Sequence, residues 1–233
     1  MQGHKTKITT PRWRSAGYWA DLGLGRLLPA LVFSPLWVDK LLLTAAAAQL
    51  LGRGRGDPLG LATQVLGLAY FTLLIVLYAV RLPRLAGDRR PQLVLASLFG
   101  TFGVLLLGVL PDHARPALAA PAALILLAGL AYTVWALSTL RRSFSILPEA
   151  RRLVTNGPYR FSRHPLYLGE ALAAIGLLLP QITPPRVVLI IVVLIAQYVR
   201  IKAEETILAR QFGAPYADYR RRVPAYLPGP WPR

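Results

Sequence analysis

Hydrophobic positions fall into long blocks, roughly 27–51, 59–82, 92–110, 117–140, 165–179 and 187–201, and short polar stretches between them hold most of the charge. A helix needs about 20 apolar residues to cross the hydrocarbon of a bilayer, and the second, third and fourth blocks reach that length. The first is interrupted by Pro35 and by Asp39-Lys40. The fifth and sixth are shorter, and only Pro180-Gln181-Ile182-Thr183-Pro184-Pro185 joins them, so they read as a tight helical hairpin. The pattern predicts an all-α, polytopic membrane bundle of about six transmembrane helices, with short cytoplasmic helices at the C-terminal end.

Charge orients the bundle. With both termini in the cytoplasm and six spans threaded, 22 basic residues lie inside and 4 outside (Arg53, Arg55, Arg115 and Arg186), with Lys40 inside the first block. That split follows the positive-inside preference. If block 27–51 lay flat on the inner surface, the other spans would invert and the basic stretches 81–91 and 200–233 would face outward, so six spans are favoured over five. The chain then divides into an N-terminal basic segment with four helices (1–140), which forms a scaffold and substrate tunnel, and a C-terminal core (141–233).

Composition narrows the function classes. The 233 residues are 55% hydrophobic and carry a net charge of +17, with a mean hydropathy of +0.45. In a soluble protein such a charge points to nucleic acid. Here cytoplasmic loops account for it, so the expected partners are membrane lipids and a lipophilic molecule, with no nucleic acid. Cysteine is absent and His4, His113 and His164 are far apart, so no metal site is expected. The excess of Arg over Lys, with abundant Ala, Leu and Gly, suits a bacterial chain in the cytoplasmic (inner) membrane.

Two cytoplasmic stretches carry the polar chemistry. The first is 151–170, RRLVTNGPYRFSRHPLYLGE. Asn156-Gly157-Pro158 signals a turn, and Pro165 suits the first position of a helix. His164 is pushed from helical geometry by the following proline and therefore sits at or near the N-cap. Free N–H groups at a helix start favour anions, and Arg160 and Arg163 reinforce that charge. The bland alternative makes the arginines interfacial lipid contacts and makes Tyr159 and Tyr167 members of an aromatic belt. The second stretch begins near Arg200 and holds Glu204 and Glu205, adjacent residues that face about 100° apart on a helix. Its bland reading is a surface helix with an Arg200–Glu204 pair. Phe212-Gly213 ends that helix, Pro215 starts another, and Tyr216, Tyr219 and Tyr226 line a basic tail that would cap a cavity or lie on anionic lipid. Rings, carboxylates and an anion-binding helix start suit a zwitterion with a further cationic centre, such as S-adenosylmethionine. A nucleotide or a lipid headgroup remains open on residue chemistry alone.

The string GPYRFSRHPLYLG, followed about 35 residues later by the pair Glu204-Glu205, resembles the isoprenylcysteine carboxyl methyltransferase superfamily, which includes phospholipid N-methyltransferases; the likeness runs from about Arg141 to Leu227. The resemblance implies an integral membrane methyltransferase that binds S-adenosylmethionine at the cytoplasmic face and admits a lipophilic acceptor from the bilayer. By motif match, Leu153 and Val154 give loop contacts to the cofactor, and Tyr159, His164, Tyr167, Leu168 and Gly169 surround it. Glu204 and Glu205 match the family's acidic pair, and Arg163 faces the cofactor carboxylate or orients the substrate. Arg163, His164 and Glu204 are the expected catalytic residues. Glu170 stands where many relatives have an uncharged residue. Methyl transfer needs no metal. An amine or alcohol acceptor would need a base, drawn from Glu204, Glu205 or His164, whereas an ionised carboxylate would need none. The competing readings are an NADPH-dependent membrane reductase built on the related sterol-reductase-like core, and a non-catalytic membrane subunit.

Overall fold

A computed structural model describes residues 27–111 and 115–226. The basic segment 1–26 with His4, the loop around His113 and the tail after Tyr226 lie outside the described residues, and so do both termini. Among the described residues are seven α-helices: α1 (Leu28–Gly52), α2 (Pro58–Val80), α3 (Pro91–Phe102), α4 (Ala119–Leu140), α5 (Pro165–Leu178), α6 (Pro184–Phe212) and α7 (Ala214–Arg222). Proline opens α2, α3, α5 and α6, where its missing N–H costs no intrahelical bond. Asp57 also caps α2, its carboxylate accepting from Leu59 N at 3.0 Å and Gly60 N at 2.8 Å.

Four stretches among the described residues are long and apolar enough to cross a membrane: Leu31–Gly52, Pro58–Val80, Pro91–Val109 and Ala119–Ser143. Their outer faces display large apolar side chains such as Leu31, Leu95 and Val109, a surface that lipid covers and water does not. The protein is therefore an all-α, polytopic membrane-spanning bundle. The first block is helical despite Pro35. Lys40 within it finds an oxygen partner, Gln64 Oε1 on α2, at 3.2 Å. The third block changes character part-way: α3 stops at Phe102, and Gly103–Val109 continues as a 3₁₀ helix. There α3 presses on α6 so closely that a Cβ on Gly103 would lie 2.8 Å from Val193 Cγ2.

The last two blocks are joined by a short 3₁₀ turn, Leu179–Gln181, but they do not pair with each other along their length. Helix α5 packs mainly along α4, and α6 mainly along α3. The α4–α5 contact is a close backbone approach between small residues. A Cβ at Gly169 would lie 2.3 Å from Thr133 Oγ1, and one at Gly129 would lie 2.5 Å from Ala173 N. Small residues of this kind let helices meet in a lipid environment, where hydrophobicity does not drive them together. Helix α6 has 29 residues and is about 44 Å long at 1.5 Å per residue, longer than a bilayer core. Its last third carries Lys202, Glu204, Glu205 and Arg210.

One apolar cluster joins this bundle to the motif loop. Phe33, Leu74, Tyr78 and Leu137 from the helices share it with Val154 and Tyr159 of the loop. A two-residue antiparallel bridge, β1 (Ala86–Gly87) with β2 (Glu149–Ala150), fastens the α2–α3 connection beneath the loop. Leu82 N adds a bond to Arg142 O at 2.8 Å, and Arg142 Nε one to Val80 O at 2.7 Å.

Candidate cofactor site

The motif loop enters α5 through a short 3₁₀ turn, Gly157–Arg160, with His164 at the N-cap of the helix. Its backbone is held from outside by the chain after α7: Arg163 N donates to Pro224 O at 2.8 Å and His164 N to Ala225 O at 3.1 Å. Ser162 Oγ reaches the same Ala225 carbonyl at 3.1 Å, and the His164 ring lies 6.2 Å from that of Tyr226. The aromatic tail is thus a strap over the loop. From below, Tyr219 Oη donates to Tyr159 O at 2.6 Å.

Helix α6 meets the loop from the inside, and its two glutamates part company. Glu205 Oε1 lies 3.2 Å from His164 Nε2 and 2.9 Å from Arg163 Nη1. The arginine contact is off-axis, an ion pair without a directed hydrogen bond. The hydrogen bond from His164, with the Arg163 charge, holds the Glu205 carboxyl below its usual range against the opposing effect of burial. Glu204 instead accepts from Tyr167 Oη at 2.7 Å and faces two small adjoining cavities of about 40 and 50 Å³.

These cavities gather most of the residues singled out by the motif. Tyr159, Arg163, His164 and Glu204 line both; Tyr167 lines the smaller, and Leu153 and Val154 line the larger. Leu168, Gly169 and Glu205 line neither. Gly169 serves the α4–α5 contact, Leu168 N bonds back to His164 O at 3.1 Å, and Glu205 clamps the loop. Tyr159 and Tyr167 are buried, so the aromatic-belt reading does not describe them. The surface-pair reading of Arg200 also fails. Its side chain is buried and donates to Thr101 Oγ1 at 3.2 Å and Ser145 O at 3.0 Å, with its guanidinium 4.8 Å from the centre of the Tyr167 ring. Deeper in the bundle, Glu170 Oε2 accepts from Gln197 Nε2 at 3.0 Å.

Sequence reasoning passed over Glu149, Arg151 and Ser143, all of which line the site. Glu149 is the hub of a charge cluster, 2.6 Å from Arg151, 3.5 Å from Arg89 and 3.8 Å from Arg84. The signal was available: in a chain with 10 acidic residues against 27 basic ones, an acid beside an arginine doublet at the head of the motif is conspicuous. A larger cleft of about 470 Å³ opens between residues 86–93 and the outer face of α6. It holds none of the motif residues and is not the candidate site. Among the described residues no group of three His, Cys, Asp or Glu side chains is placed to hold a metal.

Comparison with known proteins agrees on this region. The phospholipid methyltransferase family model matches residues 118–215. Over 99 residues the chain is 35% identical to protein-S-isoprenylcysteine O-methyltransferase B of Arabidopsis thaliana, covering 40% of this chain and 50% of that protein. Over 99 residues it is 36% identical to protein-S-isoprenylcysteine O-methyltransferase of Saccharomyces cerevisiae, covering 40% and 41%. It is also 35% identical over 82 residues to a nickel-cobalt-cadmium resistance protein of Alcaligenes xylosoxydans, covering 34% and 38%. The chain spans half or less of the length of these relatives. Through the segment that holds α4, the motif loop, α5 and α6, it is a family-level match to the isoprenylcysteine carboxyl and phospholipid methyltransferase superfamily of integral membrane proteins.

Proposed function

We propose that this protein is an S-adenosylmethionine-dependent methyltransferase that acts on a lipophilic acceptor. The observation that carries the reading is the meeting of the motif loop with Glu204 around two adjoining cavities at the head of a membrane bundle. The donor set suits the cofactor. Buried donors with no partner among the described residues, Arg151 Nε and Nη1 and Ser143 Oγ, belong to the same lining as the Glu204 carboxylate and the Tyr159 ring. Such a lining matches a ligand that carries both signs of charge and a flat apolar part. When bound, S-adenosylmethionine supplies a methyl group on a positively charged sulfur.

The chain's own residues supply position and proton traffic. Arg163 and His164, held by Glu205 and the 223–226 strap, present the start of α5 to the ligand. Arg200 and Tyr167 fix the Glu204 side of the cavity, and tight positioning of this kind accounts for much of the rate in group transfer. An acceptor with an amine or hydroxyl must lose a proton as it gains the methyl, and Glu204, which lines the cavity, is our candidate to take it. An ionised carboxylate acceptor would use Glu204 only for orientation.

The topology belongs to the same proposal. Six spans, with α5 and α6 as the last two and both termini cytoplasmic, put the motif loop, the α2–α3 connection and α7 on the cytoplasmic side of a bacterial inner membrane. The distribution of arginines supports that orientation. Residues 1–140 then form the scaffold and the path by which the acceptor arrives, and residues 141–233 the methyltransferase core.

Purified protein in lipid nanodiscs should bind S-adenosylmethionine saturably and bind NADPH poorly, with binding lost in Glu204→Ala and His164→Ala. NADPH displacing S-adenosylmethionine at lower concentration would favour the reductase, and absence of saturable binding would sink the proposal.

A further inference from the structure

We infer that Arg151, with Arg163 and Tyr216 beside it, forms a carboxylate-binding subsite in the larger cavity, and that Glu149 positions it. This rests on the methyltransferase reading and names the part of the cofactor recognised here: the carboxylate of its aminoacyl end.

Arg151 is an unusual arginine. Its side chain is fully buried (0% exposed), yet only one of its nitrogens is used. Nη2 donates to Glu149 Oε2 at 2.6 Å, while Nε and Nη1 have no partner among the described residues. A guanidinium has five N–H donors, and leaving buried charged donors unmatched costs more than a hydrogen bond returns. Arg163 Nε also has no hydrogen-bond partner among the described residues, while its Nη1 lies 2.9 Å from Glu205 Oε1; the buried Tyr216 hydroxyl sits beside the Arg163 side chain. All three residues line the larger cavity. Burial is the main reason that the Tyr216 hydroxyl is pushed up to about 12, so it remains a protonated donor at neutral pH.

Charge balance supports an anion here. Glu149 is shared by three guanidiniums, those of Arg84, Arg89 and Arg151, so pairing with Glu149 does not cancel the positive charge around it. The remaining lining selects the class of anion. Glu149 and Glu204 both face the cavity, and Leu153, Val154 and Leu208 make part of its wall apolar. A phosphate dianion would be repelled by the two acids and badly solvated by the wall. A single carboxylate on a molecule that also carries positive charge and apolar surface fits both. Charge-assisted bonds from Arg are the strong ones in such a setting.

The test is differential binding to the full chain in nanodiscs, with S-adenosylmethionine and its decarboxylated analogue as probes. The wild-type protein should prefer the carboxylate-bearing form by about 10- to 100-fold. Arg151→Gln should erase that preference while holding the analogue's affinity within about twofold. Arg151→Lys should recover part of the preference, Tyr216→Phe should lose a smaller part, and Glu149→Gln should weaken only the carboxylate-bearing ligand. If Arg151→Gln weakens both ligands equally and Tyr216→Phe changes neither, the subsite is wrong and Arg151 is a structural residue. Equal wild-type affinity for the two probes rejects the subsite but leaves the methyltransferase reading standing. Failure of both probes to bind removes both. A variant that binds the cofactor normally but raises KM for a carboxylate-bearing lipid assigns the subsite to the acceptor and overturns the inference.

Discussion

Two contacts of α5 are built on opposite principles. Along its length, α5 meets α4 through Gly169, Ala173 and Gly176 against Gly129, Thr133 and Leu126, a contact made by the absence of side chains. At its start, α5 meets α6 through His164, Arg163 and Glu205 and through Tyr167 and Glu204, a contact made of charge and hydrogen bonds. The first lies where helices have no hydrophobic reason to associate and only fit holds them. The second lies at the head of the bundle, where the candidate chemistry is. A 14-residue helix therefore carries a packing face that sets its position and a polar start that uses that position.

The largest expected effect tests the packing face. Gly169→Leu puts a side chain where even a Cβ would lie 2.8 Å from the backbone nitrogen of Thr133. The helices must separate, at a cost of about 3 kcal/mol or more. Loss of the monodisperse species in size-exclusion chromatography, together with a collapsed Tm, is the expected result. A normally folded Gly169→Leu protein would show that the contact is not tight.

Next comes the polar start. Glu205→Gln keeps the shape and removes the charge opposite Arg163 and His164. Cofactor affinity should fall on the order of 100-fold, with far less effect on Tm than Gly169→Leu. The pH dependence has a defined sign. Because the folded state lowers the Glu205 carboxyl, its contribution to stability is fully present above the ordinary glutamate value of about 4.3 and is lost as pH falls through the lowered value. The Tm difference between wild type and Glu205→Gln should be present at about pH 5 and shrink in more acid solution. Tyr167→Phe removes the hydroxyl that Glu204 accepts from. It should cost about tenfold in cofactor affinity with little change in Tm, and an unchanged affinity would detach Tyr167 from the site.

The smallest effect is a control at the other end of the bundle. Asp57→Ala deletes the cap of α2 and should lower stability by about 1 kcal/mol while leaving cofactor affinity unaltered. Coupled changes in both would blur the distinction between scaffold and site.

The helices were legible where punctuation is strong: Pro58, Pro91, Pro165 and Pro184 each open one, and Gly213-Ala214-Pro215 separates α6 from α7. Apolar blocks gave the candidate spans because lipid demands length and little else. The switch of α3 to 3₁₀ at Gly103 was not legible, since no punctuation in the sequence marks it, and neither was the close approach there of Val193, 90 residues away. Nor was the mutual arrangement of α5 and α6, for a short connection shows that two helices are consecutive and not that they pack along each other. In the site, the adjacency of Glu204 and Glu205 correctly placed two faces, but which one meets the loop depends on the rotation of α6. Glu149 and Arg151 escaped because their roles come from a shared buried geometry that no spacing rule describes. Arg141 is a further local surprise. It ends α4 with φ 50°, a left-handed conformation that Gly213 also adopts at φ 52°. The sequence offers no glycine there to signal it.

The central claim concerns what leaves the cavity. Purified protein in liposomes, given S-adenosylmethionine with a labelled methyl group and lipid extract from the source membrane, should move label into an organic-soluble product. Glu204→Ala should lose that transfer while remaining folded. Label that stays wholly in the aqueous cofactor pool, with saturable cofactor binding demonstrated in the same sample and a complete acceptor panel supplied, would contradict the account.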